Sequence, residues 1–350
     1  MIVLYVFLAI LILMFMIMIH EFGHYLAGKL LKFKIEEFSI GFGKALFSKT
    51  MKSGEVFSIR LIPLGGYCAF KGEDEDEDED GKPDPDCFNN FACWKRIIVL
   101  ISGALFNLLS GFIFTFVLLL TLGTGNVKIT GFRDDCINKD KLAVNDIIIE
   151  VDGVEPTFLN GGINGLLASR EVGEDIVLKI DRNGEILDVV VQKYETQVEN
   201  DKGEMVDTEL IGITNPAYVP CSFGKSLVQA VPYTFKIAWE CLRILGGLFT
   251  GTVGVNNLGG PVTTVKTIAV SAQANMSSLI LLFPLIAVNL AVFNILPIPA
   301  LDGARVLFVA IEWIMKKPVS RELEAQIHNI GLMVLFSLVV VIDILQIFVF

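Results

Sequence analysis

Charge is scarce in this chain. Only 19% of its 350 residues are charged and 53% are apolar, where a soluble domain carries about a quarter charged. With a mean hydropathy of +0.61, that shortage argues against a wholly water-soluble enzyme. Basic residues are in deficit too, 28 against 39 acidic ones. Eight of the acids form the single run Glu73–Asp80, and the remaining 28 against 31 leave no basic field to hold nucleic acid. The six cysteines include no CxxC pair and no zinc-finger spacing, so they read as free thiols, although an even number leaves a bridge open. Histidine is rare: there are three, and two stand four residues apart.

What is abundant is uncharged apolar sequence. Met1–Ile19 carries no charged side chain, and the apolar pattern persists past His20 through Tyr25, Leu26, Ala27, Leu30 and Leu31. A helix of about 30 residues exceeds the ~20 needed to cross hydrocarbon. A cleaved signal peptide is the rival reading, and the missing basic n-region and small-residue cleavage site count against it. Further uncharged runs cover Ile97–Val127, Thr267–Leu301 (embedded from about Leu279) and Asn329–Phe350, the last broken only by Asp343. The stretch Ile244–Val265, rich in Gly, Asn and Thr and containing Pro261, reads as loop or interface. Four spans result. Lys29, Lys32, Lys34, Lys95, Arg96, Arg305, Lys316, Lys317 and Arg321 flank one side, against Lys128, Arg133 and Lys266 on the other. The bias predicts both termini outside, with 32–96 cytoplasmic and 128–266 outside.

Between the spans, residues 35–71 read as strand, with Gly65-Gly66 as a hairpin signal after the apolar run Val56–Ile62. The acidic run and the following Gly81-Lys82-Pro83-Asp84-Pro85 read as a solvated loop. From Lys128 to about Tyr218 the composition turns soluble. Strands are predicted at Asp146–Val151 and Asp175–Asp181, a tight Asn183-Gly184 turn leads to a return strand Ile186–Val191, and Gly161–Arg170 supplies one short helix. Ser226–Leu248 follows as an amphipathic helix suited to a membrane surface.

The chemistry concentrates in His20-Glu21-Phe22-Gly23-His24. Positions i and i+4 share a helix face, so both imidazoles can reach one metal while Glu21 stands beside them as a base. Ionisable groups within a membrane span are costly and are usually functional. A catalytic zinc site needs one more protein ligand and an open place. The candidate is Asp302, in Asn294-Ile295-Leu296-Pro297-Ile298-Pro299-Ala300-Leu301-Asp302-Gly303. There two prolines break the third span and place a carboxylate at membrane depth. The plainer alternative makes Asp302 an N-cap after a Pro-rich turn. His328 reads as an interfacial polar residue, and Asp343 as facing protein or water.

Taken together, HEFGH ending a first span and NILPIPALDG in the third resemble the bacterial site-2 protease family of intramembrane zinc metalloproteases. Leu142–Gly153 is similar to the PDZ motif of its regulator-of-sigma-E protease branch. Leu64-Gly65-Gly66-Tyr67, Ser102–Asn107 and Leu258-Gly259-Gly260-Pro261-Val262 are also family-like. Ala304 after LDG and Asn145 in the PDZ-like motif depart from the usual glycines. The resemblance implies zinc held by His20, His24 and Asp302, and Glu21 as the catalytic base. It also implies that Asn294 helps to hold an unwound substrate. Asn107 is a second candidate, with a helix-packing amide as its alternative, and the edge of the Val56–Tyr67 hairpin, with Gly65 and Gly66, can take an extended substrate segment as an added strand.

The expected architecture is a polytopic α-helical membrane protein with four transmembrane helices, a membrane-associated β-hairpin region and one extracytoplasmic PDZ-like β-rich domain. Its divisions are a first span at 1–31, the hairpin and acidic loop at 32–96, a second span at 97–122 and the PDZ-like domain at 126–218. An amphipathic helix and linker at 222–270, a broken third span at 278–316 and a fourth span at 328–350 complete it. Expected partners are the lipid bilayer and single-span membrane proteins such as anti-sigma factors or remnant signal peptides, with no nucleic acid, in the bacterial plasma membrane. The rival classes are a metal transporter and an idle scaffold presenting a PDZ domain; neither needs a base at Glu21.

Overall fold

A run dominated by Ile, Leu, Met and Phe winds into α1, Ile2–Leu30. At 1.5 Å per residue its 29 residues extend about 43 Å, and His20 and His24 fall in its C-terminal half. The computed structural model of the protein describes residues 2–73, 84–199, 203, 205–254 and 259–348. Residues 74–80 of the acidic run, Gly81-Lys82-Pro83 and Leu258 of the Leu-Gly-Gly-Pro-Val motif lie outside the described residues. The chain divides into two compact units, Met1–Phe114 with Tyr233–Phe350, and Thr115–Pro232.

After α1 come β1 (Ile35–Thr50) and β2 (Val56–Phe70), a single long antiparallel hairpin in which Thr50 faces Val56 and Ile35 faces Phe70. The turn therefore lies at 51–55, which corrects the expectation of a hairpin turn at Gly65-Gly66. Those glycines sit inside β2, at a bend. Gly41 and Gly65, at φ 85° and 135°, allow the hairpin to fold over, so that Val56–Ile59 also pair with Glu37–Ile40. Its base is packed against the end of α1 and against α2 (Cys93–Leu122) by Phe33, Ile35, Phe70, Phe88, Val99 and Leu100.

The second unit is β-rich. It comprises β3 (Val127–Lys128), β4 (Gly131–Phe132), β5 (Ile147–Val151), α3 (Gly162–Ala168), β6 (Asp175–Arg182) and β7 (Glu185–Gln192). Then follow β8 (Tyr194–Glu199), β9 (Met205–Leu210), β10 (Ile213–Thr214) and β11 (Ala217–Tyr218). The main sheet runs β11-β3-β5-β6-β7. Asn183 and Gly184, both at positive φ, make the tight turn expected between β6 and β7. Ile148, Ile176, Leu178, Ile180 and Val191 form its fully buried centre.

Helices complete the chain: α4 (Phe223–Thr250), α5 (Pro261–Ala274), α6 (Met276–Ile295), α7 (Asp302–Met315) and α8 (Arg321–Phe348). The expectation of loop or linker through Val265 is corrected by α5. Pro261 starts that helix, at a position where its missing N–H costs nothing, and Ile268 and Ala269 pack on Ala9 and Leu279. Among the described residues four helices, α1, α2, α6 and α8, are long and apolar enough to cross a membrane. The third apolar run is interrupted where expected, at Pro297–Pro299 between α6 and α7.

Candidate metal centre

Three side chains from two distant elements meet at the break between α6 and α7. His20 Nε2 lies 3.0 Å and His24 Nε2 3.3 Å from Asp302 Oδ2, and the two imidazole nitrogens are 3.2 Å apart. Both histidines are buried. Asp302 opens α7 as its first residue and is not the helix N-cap; that place belongs to Leu301. The next residue, Gly303, lets the turn close tightly, because a Cβ there would stand 2.2 Å from the Leu296 carbonyl oxygen.

The hydrogen bonds identify the lone pairs. His24 Nδ1 lies 2.8 Å from the Val99 carbonyl, which can only accept, so Nδ1 carries the proton and Nε2 has a free lone pair. Asp302 Oδ2 is buried and receives no hydrogen bond. Lone pairs pointed at one another this closely repel unless a cation lies among them. Adjacent vertices of a tetrahedron with the ~2.0–2.1 Å bonds of zinc to nitrogen stand about 3.3–3.4 Å apart, close to the separations found. These residues fit a metal.

Glycine at 103 makes the arrangement possible. A Cβ on Gly103 of α2 would lie 2.3 Å from His24 Nε2 and 2.7 Å from His20 Cε1, so any side chain there would displace the imidazoles. The sequence marks Gly103 only as part of a family-like Ser-Gly-Ala string; a small residue in an apolar span is the signal that points to such close approach. Asn107, one turn on, is buried with its amide nitrogen 3.2 Å from His20 Nδ1, and its Oδ1 is buried without a partner.

A cavity of about 240 Å³ opens beside the three groups, lined by His20, Glu21, Asn107, Asn294 and Asp302 with Ile17 and Leu290 as apolar wall. Asn294 donates from Nδ2 to the Leu290 carbonyl at 2.9 Å, which leaves its Oδ1 as an acceptor. Gly66 borders Glu21, since a Cβ there would lie 3.7 Å from Glu21 Cγ. Gly65 is not brought to the cavity and packs against the Phe42 ring. His328 is not among the converging groups, and Asp343 pairs elsewhere.

Comparison with known proteins gives the family. Residues 8–338 match the profile of peptidase family M50. The chain belongs to that family. A Campylobacter jejuni relative named as a zinc metalloprotease is 30% identical over 94% of this chain and 89% of its own length. One from Fusobacterium nucleatum, similarly named, is 30% identical over 96% of each. The Haemophilus influenzae regulator of sigma E protease is 25% identical over 93% of this chain and 94% of its own. This M50 peptidase is accordingly a zinc metalloprotease of the site-2 protease type.

Proposed function

We propose that the protein is an intramembrane endopeptidase that cuts single-span membrane proteins within their transmembrane segments. One observation carries the reading: two histidine nitrogens from the C-terminal half of an apolar helix converge with an aspartate oxygen beside Glu21. His20, His24 and Asp302 are the zinc ligands in this proposal. Zinc held there supplies a Lewis acid, which polarises a peptide carbonyl and makes water acidic enough to lose a proton near neutral pH.

Glu21 is the general base. It takes a proton from water as the water oxygen adds to the carbonyl carbon, and returns it to the departing nitrogen as the C–N bond breaks. A carbonyl inside a substrate helix is tied to the amide four residues on, so the segment must unwind first. The edge of the folded-over hairpin beside Glu21 then holds it as an added strand, with Gly66 admitting close approach. The free Oδ1 of Asn294 accepts from an exposed substrate amide. Asn107 works through His20: turning its amide by 180° lets Oδ1 accept from His20 Nδ1–H and removes the unpartnered oxygen.

In the same proposal α1, α2, α6 and α8 span a bacterial plasma membrane, with 32–96 cytoplasmic and the PDZ-like 126–218 outside. The skewed Lys and Arg distribution and the bacterial relatives support this. The PDZ-like domain is a size filter, so that substrates are anti-sigma factors already shortened by another protease, or remnant signal peptides. Deleting 128–218 then admits uncut substrates; unchanged selectivity refutes the filter.

Mass spectrometry of transmembrane peptides incubated with purified wild type and Glu21→Gln tests the chemistry. The variant is expected to retain one zinc and to lose about 10²–10⁴-fold in cleavage. Full cleavage by Glu21→Gln would end the protease assignment of this site. Asp302→Ala is expected to lose zinc and activity together.

A further inference from the structure

The third histidine lies outside the metal cluster yet touches the segment that presents Asp302. His328 Nδ1, from α8, accepts a hydrogen bond from the Ala300 backbone N–H at 3.0 Å. Ala300 stands two residues before Asp302 and adopts φ 78°, a left-handed conformation that an L-alanine adopts only against a steric penalty. One turn along α8, Gly331 receives Pro299, and a Cβ there would lie 2.1 Å from the proline Cβ. His328 and Gly331 therefore form one seat on α8 for the Pro299–Ala300 turn. Because Nδ1 accepts, the imidazole proton is on Nε2, which is buried without a partner. An apolar side chain would avoid that burden, so the bond to Ala300 is what the imidazole contributes at this position.

We propose that His328 is a positioning residue for the zinc site. It holds Ala300 in its left-handed conformation and thereby sets the reach of Asp302 toward His20 and His24. The inference rests on the assignment of those three residues as zinc ligands. Without the bond, residue 300 relaxes toward a right-handed or extended backbone. The carboxylate two positions on then swings away from the imidazoles, although no ligand has been changed.

The test measures zinc affinity of the purified full-length protein by competition with a chromogenic zinc chelator. His328→Leu is expected to weaken zinc binding about 10-fold, the lower end of losses on removing groups behind metal ligands. His328→Asn, whose Oδ1 replaces Nδ1 as acceptor, is expected to stay within about threefold of wild type. In the His328→Leu background, Ala300→Gly removes the steric penalty at φ 78° and is expected to recover most of the loss. Packing alone would not produce that rescue. Wild-type affinity in His328→Leu, or no recovery in the double variant, overturns the proposal. Should His328→Leu fail to fold, His328→Asn decides: near-wild-type affinity supports it and a tenfold loss overturns it. Asp302→Ala is measured in parallel, and if it keeps wild-type affinity the ligand assignment itself has failed, separately from the role of His328.

Discussion

Asp343, deep in the apolar α8, is held by Thr263 at the start of α5. Its Oδ1 accepts from the Thr263 hydroxyl at 2.7 Å and the Thr263 backbone N–H at 3.0 Å, and Oδ2 accepts from the Val262 N–H at 3.1 Å. A carboxylate among apolar residues thus satisfies the unpaired amides and positive end of another helix. Gly260 admits it, since a Cβ there would lie 2.5 Å from the carboxylate. Asp343→Ala is expected to cost about 1–2 kcal/mol, read as a lowered thermal midpoint in detergent. An unchanged midpoint would mean that water caps α5 equally well.

Gly103→Ala tests the space for the imidazoles. With a Cβ 2.3 Å from His24 Nε2, the purified variant is expected to hold less than about a tenth of its zinc while far-ultraviolet circular dichroism stays helical. Gly246→Ala, where nothing lies within 4 Å, is the control and is expected to keep full zinc. Full occupancy in Gly103→Ala contradicts the close fit.

Asn107 separates two roles by substitution. If its oxygen accepts from His20 Nδ1–H, Asn107→Asp keeps zinc affinity within about threefold and Asn107→Leu loses about 10–100-fold. Equal loss in both variants would assign the contact to the amide N–H₂ instead.

Glu55, the last residue of the hairpin turn, ties the hairpin to the end of α1. Burial by itself raises its pKa, but hydrogen bonds from Lys29, Ser53 and Tyr25 outweigh this and hold it at about 2, against the usual 4.5. A lowered carboxylate pKa means that the stabilisation is complete above 4.5 and is lost as pH falls toward 2. Glu55→Gln is expected to be less stable than wild type near neutral pH, with a flatter loss of thermal midpoint across that acid window. Parallel curves for the two proteins would exclude Glu55 as a source of the acid sensitivity.

Arg96 and Glu312 form a buried ion pair that joins α2 to α7, and Arg321 of α8 reaches the same carboxylate at 3.1 Å. Removing one partner strands the other's charge, so Glu312→Ala is expected to cost about 3–5 kcal/mol in chemical unfolding. Replacing Arg96 and Glu312 together by Met and Leu is expected to cost less than Glu312→Ala alone; a greater cost would show that the pair stabilises beyond its desolvation.

Much of this protein is written in local sequence. Four apolar runs define the long helices because helix length and side-chain hydropathy are properties of contiguous residues. His20 and His24 share a face because 3.6 residues per turn requires it. The same locality explains the break at Pro297–Pro299 and the Asn183-Gly184 turn. Tertiary structure alone decided that the hairpin turns at 51–55 and folds over at Gly65, that Gly103 makes room for two imidazoles, and that α5 is a helix docked on α1. It also decided that Asp343 ends at Thr263 and His328 at Ala300. These contacts join residues far apart in the chain, and their geometry follows from the summed packing of many side chains that no short spacing encodes.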